Sequence, residues 1–290
     1  PAGGFGSTST VTLSGNVANT AGNLILNNNA ATGGITLSGS SINPIGNITN
    51  SGTGAGATTI SGNIGASVTG VFQTSANSTL TLSGNNTFTT GLTILSGMVS
   101  GTTTGNAFGA NSNVITLGDT TGSATATLNG GFGGTFANPI TVAVGSSGTL
   151  KITNSAASIF SGPVTLNNDL TVASTLTNLL TFNGGIGGTG NLTITGTGTT
   201  GNTTFTTAPL TFVGTITNQG ANTGTTTITG GVGGNITAIT QNSTTSALTL
   251  STTALTVNGA GTTLTNLAGT KALTVSGGVT GTGNLTLNNN

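Results

Sequence analysis

Only four side chains in this sequence of 290 residues carry a formal charge: Asp119, Lys151, Asp169 and Lys271. There is no His, Cys, Glu, Arg, Trp or Tyr, so few reactions are open to it. Two carboxylates can hydrolyse a glycosidic bond when one is protonated, the other ionised, and both face one substrate. Asp119 and Asp169 are the only such pair, 50 positions apart. Each also reads simply as a solvated turn residue, within Leu117-Gly118-Asp119-Thr120 and Asn167-Asn168-Asp169. Serine and threonine are abundant, but a hydroxyl nucleophile needs a base. With no histidine and two lysines 120 positions apart, none is at hand, and these residues read as strand and turn formers.

Binding chemistry is equally restricted. Phosphate and anionic lipid need several clustered cations, and two distant lysines do not supply them, so neither nucleic acid nor a membrane surface is an expected partner. Neither lysine follows Gly and precedes Ser or Thr, as a phosphate loop requires. Glycine frames of the kind that build calcium-bound rolls occur at Gly130-Gly131-Phe132-Gly133-Gly134-Thr135, Gly184-Gly185-Ile186-Gly187-Gly188-Thr189 and Gly230-Gly231-Val232-Gly233-Gly234-Asn235. Their sixth position is Thr or Asn where a carboxylate would be needed, so no metal or other cofactor is expected. No run approaches the roughly 18 apolar residues of a membrane helix. The opening Pro1-Ala2-Gly3-Gly4-Phe5 lacks the pattern of a secretion signal, so an exported form would be a processed chain or a fragment.

The elements that must position these residues are strands. The chain holds 52 Gly, 69 Thr and 35 Asn, over half of its length, all poor helix formers. Runs such as Thr10-Val11-Thr12-Leu13-Ser14, Leu80-Thr81-Leu82, Val114-Ile115-Thr116-Leu117 and Leu248-Thr249-Leu250 alternate apolar and polar residues between Gly and Asn clusters. That is a strand-and-turn pattern, and it argues against disorder.

Repeats then set the architecture. Thr12-Leu13-Ser14-Gly15, Thr36-Leu37-Ser38-Gly39, Thr59-Ile60-Ser61-Gly62 and Thr81-Leu82-Ser83-Gly84 follow one another at even, slowly shortening steps in the low twenties. Degenerate copies stand at Thr193-Ile194-Thr195-Gly196, Thr227-Ile228-Thr229-Gly230 and Thr274-Val275-Ser276-Gly277. A second phrase, Gly184-Gly185-Ile186 to Asn191-Leu192-Thr193-Ile194, returns 93 positions later as Gly277-Gly278-Val279 to Asn284-Leu285-Thr286-Leu287. A period in the low twenties means one supersecondary unit stacked on itself. The expected fold is all-β, a parallel β-solenoid of about 22–24 residues per coil, continuous over 1–290. At about 4.8 Å per coil, about thirteen coils give a rod of roughly 60 Å. Glycine should turn the corners. Asparagine tolerates left-handed turn positions and can form amide ladders. Phenylalanines, among them Phe88, Phe160, Phe182, Phe205 and Phe212, should plug the core, a carbohydrate-stacking role being the alternative. Asp119 and Asp169, about two coils apart, would then lie about 10 Å from each other at closest.

The stretch Ser78-Thr79-Leu80-Thr81-Leu82-Ser83-Gly84-Asn85-Asn86-Thr87-Phe88-Thr89-Thr90-Gly91-Leu92-Thr93-Ile94-Leu95-Ser96-Gly97-Met98-Val99 resembles the autotransporter-associated β-strand repeat. Asn106-Ala107-Phe108-Gly109 and Asn113-Val114-Ile115-Thr116-Leu117-Gly118 continue the likeness, which is best over 78–130. The resemblance implies a right-handed β-helix displayed on, or released from, a bacterial surface. No translocating barrel follows in this sequence, and its charge is sparse even beside such passengers.

Function is therefore expected to come from shape: a non-enzymatic, extracellular or cell-surface bacterial structural protein, the subunit of a filament or surface stalk assembled by head-to-tail stacking. An adhesin or passenger fragment contacting a surface or carbohydrate is the alternative. An ice-binding solenoid is a third reading, weakened because the tripeptides Thr125-Ala126-Thr127, Thr193-Ile194-Thr195 and Thr227-Ile228-Thr229 do not recur once per coil. The closing Gly283-Asn284-Leu285-Thr286-Leu287-Asn288-Asn289-Asn290 repeats the phrase at Gly22-Asn23-Leu24 to Asn27-Asn28-Asn29, so the end reads into the beginning. Head-to-tail stacking of copies would place Pro1, Phe5, Val11 and Leu13 against Leu285, Leu287, Asn288, Asn289 and Asn290. Further coils of a longer array are the other expected neighbour.

Overall fold

The computed structural model describes residues 8–175 and 177–290, and among them the chain is built of strands and turns without a helix. Many strands are only three residues long. Leu92–Ile94, Ile115–Leu117 and Ile140–Val142 bury their two apolar ends and turn a central threonine outward. Side chains alternate across a strand, so the triplet aims two apolar groups at the interior and one β-branched polar group at solvent.

All paired strands run parallel, each bonded to the coil before and the coil after. The expected β-solenoid is therefore the observed fold, with about twelve turns. Its longest face has thirteen strands, from Val11–Leu13 to Leu285–Asn289. A second face runs from Leu24–Asn27 through eight strands to Ile186–Gly188, and single bridges at Leu210 and Val232 carry it on to Leu255–Val257 and Val279–Gly281. The third face is in two parts, three strands ending at Asn63–Ile64 and seven beginning at Thr135–Phe136. Coils on the long face are uneven in length. The shortest runs from Leu80 to its partner Val99, and the next, from Val99 to Leu128, is half as long again. This irregularity falls inside 78–130.

Across the gap in the third face, side-chain amides supplement the backbone bonds that remain between coils, such as Thr87 N–H to the Ile64 carbonyl at 2.9 Å. Asn86 accepts from the Ile64 N–H at 2.7 Å and donates to the Ala107 carbonyl at 2.6 Å. Asn113 accepts from the Gly91 N–H and donates to the Phe108 carbonyl, both at 2.7 Å. A buried backbone group without a partner is costly, and these asparagines supply partners where no strand does.

Among the described residues seven phenylalanines are buried, including all five expected in the core. Phe136, Phe160, Phe182 and Phe205 stack coil on coil at 5.5, 5.6 and 5.3 Å. Glycine serves the corners as expected: Gly52 has φ +107°, and a Cβ there would lie 2.2 Å from the Asn28 carbonyl oxygen. Among the described residues asparagine does not use the left-handed positions it tolerates. Among the described residues the non-glycine residues with positive φ are Thr103, Thr207 and Thr252. Asparagine instead uses its side chain to tie coils together. The oxygens of Asn23, Asn63 and Asn202 accept from the N–H of Asn47, Asn85 and Thr225 in the next coil, at 2.9, 2.8 and 2.8 Å.

The registers confirm the repeat phase and extend it. Thr12, Thr36, Thr59 and Thr81 stand in one column of the long face. A larger correspondence links Ile48-Thr49-Asn50, Thr58-Thr59-Ile60, Gln73, Ser75, Ser78 and Leu80-Thr81-Leu82-Ser83 to residues 168 positions later. These are Ile216-Thr217-Asn218, Thr226-Thr227-Ile228, Gln241, Ser243, Ser246 and Leu248-Thr249-Leu250-Ser251. The later copy is turned by one face. The strand with Ile48 is on the second face and that with Ile216 on the long face; Thr58–Ile60 is on the long face and Thr226–Ile228 on the third. The offset is therefore seven whole turns and one-third of another.

Candidate functional site

The two carboxylates stand where the coil count puts them. The column Leu117, Val142, Leu166 places Asp119 and Asp169 just past the same edge of the second face, two coils apart. Each is engaged with groups close by. Asp119 accepts from its neighbour's Thr120 N–H at 2.6 Å. Asp169 accepts from the Asn191 N–H at 2.8 Å and from its Nδ2 at 3.0 Å. Asn191 in turn accepts from the Thr215 N–H at 3.1 Å, so Asp169 occupies an asparagine's place in the corner ladder. The described residues contain no group of three or more His, Cys, Asp or Glu that could hold a metal. Lys151 points outward from Leu150–Asn154, the central strand of the long face, and Lys271 lies exposed near the last coils.

The ends of the rod are a different kind of site, apolar and open. At one end Val11 and Leu13 are 46% and 42% exposed although their columns are interior ones. At the other end Leu287 is 72% exposed, Leu285 is half-buried and Asn288, Asn289 and Asn290 are exposed. Leu264, Leu273, Val275, Val279, Leu285 and Leu287 line an open recess of about 480 Å³ there. Of the expected contact residues, Pro1 and Phe5 lie outside the described residues; the other seven lie on the two edge strands of the long face or, for Asn290, directly after one.

The registers add a constraint that the repeats did not reveal. One column of the long face starts at Val11 and passes through Ile35, Thr58, Leu80, Val99, Leu128, Ile152, Val172 and Ile194. It ends through Asn218, Gln241 and Asn266 at Asn289. Strict continuation of columns from copy to copy would set Asn289 on Val11. Matching Leu285 to Val11 and Leu287 to Leu13 needs a four-residue slide, which keeps the inward and outward sides because the slide is even.

The threonine tripeptides are irregular along the sequence, yet threonine columns do form. Thr171, Thr193, Thr217, Thr240 and Thr265 stand in successive coils of the long face. Thr181, Thr204, Thr227, Thr249 and Thr274 do so on the third, and Thr93, Thr116, Thr141 and Thr165 on the second. Their presence on every face reflects what β-branched polar groups do on narrow strands. No one face is set apart by them.

Comparison with models of known families, with curated proteins and with solved structures found no match.

Proposed function

We propose that this protein is a non-enzymatic structural rod of the bacterial cell surface or extracellular space, which lengthens by axial stacking of coils. The observation that carries the reading is the open apolar interior at both edges of the long face, at Val11 and Leu13 and at Leu285 and Leu287. Parallel strands give the two edges opposite polarity, so the contact is heterologous and propagates. The neighbour is a second copy, or adjoining coils of a longer chain of the autotransporter-passenger kind, to which the likeness over 78–130 points. The arrangement of Asp119 and Asp169, each engaged with backbone N–H groups, supports the non-enzymatic part.

Leu287→Lys tests it. A charge in the stacking edge should abolish growth in light scattering while leaving the β-sheet circular dichroism and melting temperature close to those of the parent. Growth of the variant at the parent's rate would refute stacking through this edge.

A further inference from the structure

The described coils do not make a whole number of turns. Within each coil the chain visits the long face, then the third, then the second, and the first and last described strands, Val11–Leu13 and Leu285–Asn289, both lie on the long face. That face therefore has thirteen levels where the second has twelve, a length of twelve turns and one-third. After Leu285–Asn289 the next side in order is the third face, where the last strand is Leu273–Val275. A joint that set long face on long face would leave one level empty on each of the other two faces. It would leave the inward side chains of Leu273, Val275 and Val279 uncovered and would still need the four-residue slide.

We propose that each copy in the stack is turned by one side of the triangle relative to the copy before it, a proposal that rests on the axial-stacking reading above. Val11–Leu13 then lies on Leu273–Val275, Val17–Ala21 on Val279–Gly281, and Leu24–Asn27 on Leu285–Asn289, so all three faces close together. What selects a second copy as the occupant is the fit of this chain's own first coil. Thr12-Leu13-Ser14-Gly15 meets Thr274-Val275-Ser276-Gly277, and four positions past Leu13 and Val275 alike, Val17 meets Val279. Gly22-Asn23-Leu24 to Asn27-Asn28-Asn29 meets Gly283-Asn284-Leu285 to Asn288-Asn289-Asn290. The two coils differ by one residue, between Val17 and Gly22, where Val17–Ala21 already shifts register against the next coil of its own chain.

The joint repeats a contact the chain makes with itself. Inside the rod Val11 pairs with Ile35, Leu13 with Leu37, Val17 with Ile42 and Leu24 with Ile48. Across the joint the same four side chains meet Leu273, Val275, Val279 and Leu285, inward group on inward group, without a slide. All eight of these end residues are half-buried or exposed, whereas Leu248, Leu250 and Leu255, one coil inward at the far end, are buried. The recess at that end is lined from all three receiving strands, by Leu273 and Val275, by Val279, and by Leu285 and Leu287. The corner ladder continues as well. Asn23 Oδ1 accepts from the Asn47 N–H within the chain, and Asn284, in the same position before Leu285, is placed to accept from the Asn23 N–H of the next copy. The chain also holds a precedent, since its 168-position correspondence advances by the same third of a turn. Coil on coil in one direction is a heterologous contact, so the rotated joint propagates.

Disulfide trapping tests the phase. The chain contains no cysteine, and Thr12, Ile25, Thr274 and Thr286 are all exposed at the ends. Neighbouring parallel strands lie about 4.8 Å apart, within the Cα range of a disulfide. Thr12 and Thr274 of one chain are about eleven coils, or about 54 Å, apart, so a bond between these positions joins two copies. Thr12→Cys/Thr274→Cys, concentrated until light scattering reports growth and then oxidised, should give a ladder of covalent multimers on a denaturing gel. Ile25→Cys/Thr286→Cys should do the same. Thr12→Cys/Thr286→Cys, the pair that a slid joint of long face on long face would unite, should scatter equally but run as monomer. Scattering material in which the first pair fails to link, or in which the third links instead, would overturn the rotation and leave stacking standing. A parent chain that shows no growth at about 100 μM would overturn both.

Discussion

Gln73 and Gln241 show how single residues hold a coil whose interior is not wholly apolar. Each is fully buried. Gln73 Nε2 donates to the carbonyls of Ser75 and Ser78 at 2.8 and 2.6 Å, and Gln241 repeats this with Ser243 and Ser246 at 3.1 and 2.7 Å. Their Oε1 atoms accept from Asn50 and Asn218 of the preceding coil at 2.7 and 2.8 Å. Removing one partner from such a network leaves buried polar groups unmet. Gln241→Leu should therefore cost about 2–4 kcal/mol in urea unfolding. A cost within about 0.5 kcal/mol would mean that the network is dispensable. Gly52→Ala should also destabilise, by about 2 kcal/mol or more, because φ is positive and the Asn28 carbonyl occupies the Cβ position. The sequence suggested glycine's role because only glycine turns such corners freely. It did not identify the glutamines, since two of them more than seven turns apart leave no coil-by-coil signal. It suggested asparagine's amide ladders but not the main use of its side-chain oxygen, which accepts from the next coil's N–H.

Among elements, the first four Thr-x-Ser-Gly repeats and the phrase that returns after 93 positions kept their faces. The second phrase lies four coils from its copy, with Ile186 and Val279 both on the second face. The degenerate copies at Thr227 and Thr274 moved to the third face. A period in the low twenties locates coils but says nothing of which side of the triangle a strand occupies, and the missing third of a turn was invisible until registers were known. This makes a strong prediction. Deleting residues 58–225 joins Ala57 to Thr226 and removes seven and one-third turns. The strands after the junction should each rotate by one face, and the shortened rod should still fold. Cooperative thermal unfolding with a retained β-sheet spectrum is expected. An aggregated or non-cooperative product would mean that each sequence is bound to its own face. The gap between Asn63–Ile64 and Thr135–Phe136 was likewise not legible, because its buried amides look in sequence like any other Asn-rich turn.

At the scale of the whole molecule, four charged side chains leave little for protons or salt to act upon. Stability rests on backbone ladders and apolar columns, so the melting temperature should change by no more than about 3 °C between about pH 5 and pH 9 and between about 0.05 and 1 M sodium chloride. A fall of about 10 °C or more in either series would show that an ionic contact holds the rod. Shape was the most legible property, since composition, alternation and period together admit few folds. The edge chemistry was only half legible: the repeats pointed to Val11, Leu13 and Leu287 as end residues, but not to the four-residue slide needed to match them. The measurement that bears most directly on axial stacking is electron microscopy of the concentrated protein together with X-ray diffraction from aligned material. Stacking predicts unbranched filaments with a meridional reflection near 4.8 Å and an axial repeat of roughly 60 Å, lost on Leu287→Lys. Dispersed rods of roughly 60 Å at every concentration, or filaments indifferent to that substitution, would contradict it.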